Sequence, residues 1–393
     1  MAKSAYIGVS SKAKKVKKIY VGVGGKAKKV KKAYIGDANG KAKLFFSSGG
    51  IFYYGMGSSS YTSGTYNAEN NSFYRVQEWK NDGKIEQITV TNIVSWRASA
   101  VWFWNNCWVW VTKRTNYEPY LNIMDKDSFA VTQLTLSGSS TIGIGFSGGM
   151  VAGFVVDGNK AYMLFVNTSS ASRGYFINID LANLTYTVTD TNKTNFVAQY
   201  DANKSNSLSM LPNGKLLMNH TGYGNGLYVY DQTNNTMTKV TTSGSAAQGF
   251  CTFYERARAS NRVCINIGQY AAITDGSSIT ISSHFTSTYD KQQLIWCQNE
   301  FLHIYNNYAY VSSDGISWTT ISSNTGTMGL RALGYGDGVY LGIGTVQGSS
   351  SPALYWKSTD RINWTAITPS GSYVFYDYMD GTVTYSDNNG IGN

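Results

Sequence analysis

Over most of the chain, apolar and polar residues alternate with a period of two. The runs are short and broken by Gly, Asn, Asp and Ser, which predicts strands and tight turns throughout. One pattern recurs: an apolar strand runs into a turn holding an aspartate, and a second alternating strand follows. It occurs at Phe73–Trp79 with Asp82 and Lys84–Val90, and at Tyr120–Met124 with Asp125 and Phe129–Leu136. It returns at Tyr175–Ile179 with Asp180 and Leu184–Val188, and at Leu227–Tyr230 with Asp231 and Thr236–Val240. The last three are Tyr270–Thr274 with Asp275, Tyr308–Ser312 with Asp314, and Leu354–Ser358 with Asp360. From Asp82 onward the aspartates are spaced by 43, 55, 51, 44, 39 and 46 residues, the length of one propeller blade.

The later six units each have an upstream hairpin as well. Its predicted turns are Asn105-Asn106, Asp157-Gly158-Asn159, Asn213-Gly214, a longer connection over Arg256–Asn261, Asn299-Glu300 and Asp337-Gly338. Asn-Gly and Asp-Gly between apolar runs are strong hairpin signals, because such turns need residues that tolerate positive φ. Six units therefore carry four strands, A to D, over residues 98–136, 150–190, 207–241, 249–283, 292–322 and 329–368. The first unit, 72–90, carries only C and D. Val374–Met379, the turn Asp380-Gly381 and Thr382–Ser386 form a hairpin at the other end, so residues 373–387 are expected to complete the first blade. The expected fold is all-β: a seven-bladed β-propeller over residues 46–393, closed by a blade to which each end gives two strands. Residues 46–71 read as a linker.

Charge separates the first 45 residues from this body. The net charge is +10, yet residues 1–43 hold 13 Lys against one acid, Asp37, giving +12, and residues 44–393 come to −2. The basic segment repeats every 14 residues, Ala5–Lys18 and then Ile19–Lys32, with an altered third copy over Ala33–Phe45. Tyr6, Tyr20 and Tyr34 recur at one phase, as do Gly8, Gly22 and Gly36. Ser10-Ser11, Gly24-Gly25 and Asn39-Gly40 fall where hairpin turns belong. The expectation is a small Lys-rich four-stranded meander, too small to be stable alone, that folds against a partner or further copies. A solvated charge run is the plain alternative. Nucleic-acid binding is disfavoured because the segment lacks Arg and base-reading side chains. Strict repetition suits docking on a fixed structural partner.

The run Lys-Ala-Lys-Lys-Val-Lys-Lys-Ile/Ala-Tyr-Val/Ile-Gly, ending in Gly40-Lys-Ala-Lys-Leu-Phe45, resembles short repeats in tail-associated proteins of bacteriophages, or tailocins, of Gram-positive bacteria. The resemblance implies a virion protein of the tail or baseplate, present in multiple copies per particle, whose residues 1–45 attach to other tail, baseplate or virion proteins. Candidate attachment residues are Tyr6, Lys12, Lys14, Lys15, Tyr20, Lys26, Lys28, Lys29 and Tyr34. Ser312-Ser-Asp314-Gly-Ile-Ser-Trp318 and Ser358-Thr-Asp360-Arg-Ile-Asn-Trp364 resemble the Asp-box of sialidase-like propellers, with Arg361 in place of the usual Gly. Leu227–Asp231 with Met237–Val240 is more kelch-like.

Chemistry is sparse. Four cysteines, none in a CxxC spacing, are too few for a disulfide scaffold and read as reduced core thiols in a chain made in the host cytoplasm. The N-terminus lacks a secretory core, and no apolar run approaches the roughly 20 residues of a membrane span, so membrane insertion is not expected. His220, His284 and His303 fall in different units, which argues against a metal site, and no cofactor is expected. A sialidase-type hydrolase would need an arginine triad and a Tyr–Glu pair. Arg97, Arg173, Arg256, Arg258, Arg331 and Tyr254-Glu255 offer the residue types, but the Arg-Ile-Pro start of that family is absent. Trp102, Trp104, Trp108 and Trp110 read as inter-blade core rather than a sugar platform, because both faces of a blade are covered.

Strand alternation puts the A–B and C–D turns at one end of the blades and the longer B–C and D–A connections at the other. The candidate ligand-binding residues are Arg114, Tyr117, Arg173, His220, Tyr223 and Asn225, on those longer connections. The expected function is host attachment: a receptor-binding protein whose propeller binds a bacterial surface receptor, a glycan by the carbohydrate chemistry of these side chains, without catalysis. A purely structural tail or capsid decoration protein and a surface-glycan hydrolase are the alternatives.

Overall fold

The computed structural model describes residues 102–112, 118–125, 128–137, 151–167, 173–192, 208–218, 227–240, 257–265, 273–281, 294–304, 308–324, 333–336, 338–342 and 356–366 in full, with the backbone alone of the strands elsewhere. Six antiparallel blades are built from consecutive strands. Blade 1 comprises Trp102–Trp104, Cys107–Thr112, Tyr120–Asp125 and Val131–Thr135. Blade 2 comprises Gly149–Asp157, Lys160–Asn167, Arg173–Asp180 and Thr185–Asp190; blade 3, Leu208–Met210, Leu216–His220, Gly226–Asp231 and Thr236–Lys239. Blade 4 holds Arg256–Arg258, Val263–Ile267, Tyr270–Thr274 and Ser278–Ser282, with Thr241–Ser243 added in parallel to its last strand. Blade 5 holds Gln293–Cys297, Glu300–Tyr305, Tyr308–Ser312 and Thr319–Ser322; blade 6, Met328–Gly336, Val339–Val346, Leu354–Ser358 and Thr365–Ile367. First strands of neighbouring blades approach one another, so they form the inner wall. The chain is an all-β β-propeller.

Turn chemistry sets the registers. Trp104 pairs with Cys107 across Asn105-Asn106, whose φ values of 43° and 63° lie in the left-handed region that Asn tolerates. In blade 5 Cys297 pairs with Glu300, so the turn is Gln298-Asn299 (φ 51° and 62°) rather than the expected Asn299-Glu300. Glu300 is thereby the first residue of a strand, where its carboxylate meets Arg361 of blade 6.

Packing follows from alternation on both faces. One buried cluster joins blades 1, 2 and 3, with Trp102, Val111, Phe154, Phe165, Phe176, Met218 and Tyr230 among its members. Phe176 stacks on Tyr230 at 3.9 Å between centroids. Leu211, Leu217 and Val229 of blade 3 meet Val263, Ile265 and Ile279 of blade 4. Cys264 and Ile273 meet Leu294 and Phe301 of blade 5, and Leu302 and Ile304 meet Tyr340, Trp356 and Trp364 of blade 6. Each such large apolar side chain, fully buried, contributes about 1.5–3 kcal/mol of transfer free energy before the entropy of ordering it. The Trp side chains of blade 1 belong here: Trp108 and Trp110 are fully buried, and Trp102 Nε1 donates to the Phe154 carbonyl of blade 2 at 3.2 Å.

The ends of the chain depart from expectation in three ways. An antiparallel sheet built from both ends of the chain forms beside blade 6, in the order Gly381–Tyr385, Ile51–Met56, Ser72–Gln77, Ile85–Ile88. Among the described residues the C-terminal segment gives this sheet one strand, and its partner is Ile51–Met56 from the expected linker. Gly381 pairs with Met56 and Tyr385 with Phe52 in a continuous antiparallel register. Val374–Met379 lies outside the described residues. The blades of consecutive strands number six, not seven. The basic segment is not a four-stranded meander but three separate hairpins, Tyr6–Val9 with Lys12–Lys15, Ile19–Val23 with Lys26–Val30, and Lys32–Gly36 with Ala42–Ser47. Their loops are the expected ones, and each hairpin pairs within itself only.

Removing residues 373–393 takes away Gly381–Tyr385 and leaves Ile51–Met56 as an open edge, a template for aggregation. The truncated chain is expected to melt several degrees lower and to elute as larger species. Melting and elution like the full chain would contradict the pairing.

Candidate functional site

The two ends of the blades differ in construction. At the turn end, Asp180, Asp231, Asp314 and Asp360 each fold their own C–D loop by accepting backbone N–H groups two and three residues on, while Asp125 accepts one from Ser128 and Asp275 one from Ser277. Asp180 accepts from Ala182 and Asn183 at 2.9 and 3.0 Å, Asp314 from Ile316 and Ser317 at 2.8 and 2.7 Å, and Asp360 from Ile362 and Asn363 at 2.9 and 2.8 Å. Trp318 and Trp364 donate from Nε1 back to the carbonyls of Gly315 and Arg361. Gly315 and Arg361 occupy equivalent places with φ of 78° and 60°, so Arg361 holds a backbone conformation that suits glycine.

Polar bonds then tie blade to blade. Trp104 Nε1 donates to Asn159 Oδ1 at 3.2 Å, Arg262 Nη1 to the Asp314 carbonyl at 3.2 Å, and Arg361 pairs with Glu300. The end of an outer strand also reaches the next blade. The Ser137 N–H donates to Tyr186 Oη, Asn235 Nδ2 donates to the Asp190 carbonyl, and the Trp364 N–H donates to Asn324 Oδ1. Arg258 crosses further, to Asp157 of blade 2. None of these partners is adjacent in sequence, and no local motif announces them.

At the loop end lie the expected binding residues. Arg114, Tyr117, Tyr223 and Asn225 lie outside the described residues. His220 ends the strand Leu216–His220 and pairs in register with Gly226. Arg173 begins a strand of blade 2, and its side chain is engaged within that blade. Nε donates to Asp190 Oδ1 at 2.9 Å, Nη2 lies 2.5 Å from Asp190 Oδ2, and Nη2 donates to Asn192 Oδ1 at 2.8 Å. The hydrogen bond to Asp190 raises the guanidinium pKa further above its ordinary value. This bidentate grip orders the ends of two strands. Of the six expected side chains only that of Arg173 is among the described residues.

Other candidate groups are placed in the framework. His303 is buried and stacks on Tyr310. Arg258 is held by Asp157, Arg256 and Arg331 are described as backbone only, and Arg97, Tyr254, Glu255 and His284 lie outside the described residues. Among the described residues no group of three His, Cys, Asp or Glu could hold a metal ion. Burial alone pushes the Cys264 thiol up, and burial pushes Cys297 up to about 12, so both stay protonated. In the basic hairpins Tyr6 faces Lys15 and Tyr20 faces Lys29, while Lys14 and Lys28 lie opposite Ile7 and Val21. Lys12 pairs with Val9 and Lys26 with Val23; Tyr34 pairs with Leu44. Successive hairpins thus repeat one arrangement.

No family profile and no curated protein matches this chain. Solved structures do. A Bacteroides fragilis protein named for a proposed 6-phosphogluconolactonase activity superposes with a TM-score of 0.52 at 11% identity, over 86% of this chain and 98% of its own. The likeness is one of fold alone. TolB from Acinetobacter baumannii has a TM-score of 0.38 at 15% identity over 71% of this chain, which spans 65% of the TolB chain. A β-propeller domain from Myceliophteria thermophila has a TM-score of 0.44 at 8% identity, over 72% of this chain and 89% of its own.

The aspartate turns set the acid limit of the fold. The Lys215 ammonium, with the Asn234 side chain and turn amides, holds Asp231 down to about 2, and the Asn363 amide and side chain hold Asp360 well below the ordinary range. A depressed folded pKa gives stability that is present above the unfolded value of about 3.9 and lost as pH falls through the folded one. The melting temperature is therefore expected to hold from neutral pH to about 5 and to fall between about 4 and 2. Asp360→Asn, which cannot titrate, should melt lower at neutral pH and fall less steeply in acid; an unchanged acid slope would contradict this.

Proposed function

We propose that this chain is a tail-associated protein of a bacteriophage or tailocin, attached to the particle by its basic hairpins, and that its propeller binds a host-surface glycan through the loop end of the blades. The observation that carries the reading is the inequality of the two ends. Among the described residues the short turn-end connections are held by bonds within and between blades, whereas the D–A connections and the B–C connections of blades 1, 2, 3 and 6 are longer. Loops on a rigid frame are where recognition residues gather. Arg114, Tyr117, Tyr223 and Asn225 offer aromatic faces for stacking on sugars and amide or guanidinium groups for hydroxyls. Arg173 supports that surface from below by holding Asp190, and His220 stands at the root of the Tyr223 loop.

The antiparallel sheet of the two chain ends covers blade 6, and the Trp-bearing aspartate turns of blades 5 and 6 act as Asp-boxes. The first two basic hairpins carry the same Tyr, Gly and Lys positions, and the third keeps them except for Leu44 opposite its Tyr, which suits a repeating acidic protein surface. Several contacts per chain and several chains per particle raise avidity without any single tight contact. The protein is synthesised in the host cytoplasm and ends in the virion.

Two measurements test this. A chain lacking residues 1–45 is expected to stay folded and to be missing from purified particles; normal incorporation would contradict the attachment role. Central aromatic and Arg side chains commonly cost about 2 kcal/mol on truncation, roughly 30-fold in affinity. Tyr223→Ala and Arg114→Ala are expected to lose about that much binding to host-envelope fractions without a lower melting temperature, whereas Arg173→Ala should lower the melting temperature. Failure to bind any envelope fraction favours decoration, and release of sugar favours a hydrolase.

A further inference from the structure

Asp157 and Arg258 are 101 residues apart, and each is the last residue of the first strand of its blade. Asp157 ends Gly149–Asp157 in blade 2, and Arg258 ends Arg256–Arg258 in blade 4. Arg258 Nη1 nevertheless lies 2.5 Å from Asp157 Oδ1. Blade 3 is passed over. Neighbouring first strands stand side by side around the inner wall, so a bond from the second to the fourth follows a chord across the opening, not the rim. The two side chains are 26% and 38% exposed, which puts the chord at the mouth rather than deep inside.

What lies beside the chord is also fixed. The A–B turn of blade 3 is closed by the Leu211 N–H donating to the Lys215 carbonyl at 2.8 Å and the Gly214 N–H to the Leu211 carbonyl at 3.0 Å. Its Leu211 and Asn213 side chains pack on Gly276 of blade 4 so closely that a Cβ there would come within 2.9 Å of Leu211. Lys215 is taken by Asp231 at 3.0 Å. The turn is therefore pinned against blade 4, beside the Arg258–Asp157 pair.

We propose that this pair is a strap across the turn end of the inner wall, fixing the curvature of blades 2 to 4. The strap stands on the geometry alone. Its functional meaning, a turn end held fixed opposite the B–C loops, rests on the reading of those loops as the binding surface.

The test uses full-length protein with Asp157→Asn, Arg258→Gln, the two combined, and the exchange Asp157→Arg with Arg258→Asp. Each single change is expected to lower the melting temperature by about 1–2 °C and to speed amide exchange across Leu208–Lys215 several-fold. The combined variant should melt no lower than the worse single one, and the exchange variant should recover most of the loss. Losses that add in the combined variant, or singles that leave both melting and exchange unchanged, would overturn the strap. Binding to host envelopes is measured on the same four proteins and judges only the loop reading: a strap confirmed by melting with binding abolished in the exchange variant would place the ligand at the turn end instead.

Discussion

A four-stranded sheet that is apolar on both faces cannot stand in water, and nearly everything else in this protein follows from that. Trp102, Phe154, Phe176 and Tyr230 succeed one another across three blades because each sheet is the lid of the next. The same demand continues through Val263 and Ile265, through Leu294 and Phe301, and on to Tyr340 and Trp356. Twisted sheets stacked face to face about a common inner wall must curve, and a curving array leaves two outer sheets each with one bare face. The sheet that Gly381–Tyr385 and Ile51–Met56 build together is packed against blade 6, so both termini are spent on covering that exposure.

Polar groups have a different task. Backbone amides at the turns need acceptors, and an aspartate at each C–D turn supplies them within its own loop. Charges that would otherwise be free there are paired over longer distances: Glu300 with Arg361, Lys215 with Asp231, Asp157 with Arg258. Exposed ion pairs are individually weak, typically about 0.2–1 kcal/mol, so their value is in fixing how blades sit rather than in total stability.

Sequence periodicity made the blades legible because turn chemistry is local. Asn105-Asn106, Gly158, Gly214 and Gly338 mark positive φ values, and the aspartates mark the C–D turns. Strand pairing over more than 300 residues has no local signature, so Ile51–Met56 read as linker and the final hairpin read as a pair of strands. The basic repeat showed its turns but not that its hairpins stay apart, since no side-chain pattern distinguishes pairing within a repeat from pairing between repeats. Arg173 looked like a loop cation; its partner Asp190 is 17 residues away and becomes a neighbour only when the third and fourth strands of blade 2 pair. Arg258 and Asp157 give no sign of each other at all in the sequence.

On the proposed function the basic hairpins attach the chain to a particle and the loop end of the propeller faces away from it, and an image of the particle tests this most directly. Electron cryo-microscopy of purified particles carrying this chain, with density fitted by the propeller, is expected to show residues 1–45 against a repeating tail or baseplate surface and the B–C connections pointing away from it. Density that places the propeller within the tail shaft or capsid shell, with the B–C connections buried against other subunits, would contradict it.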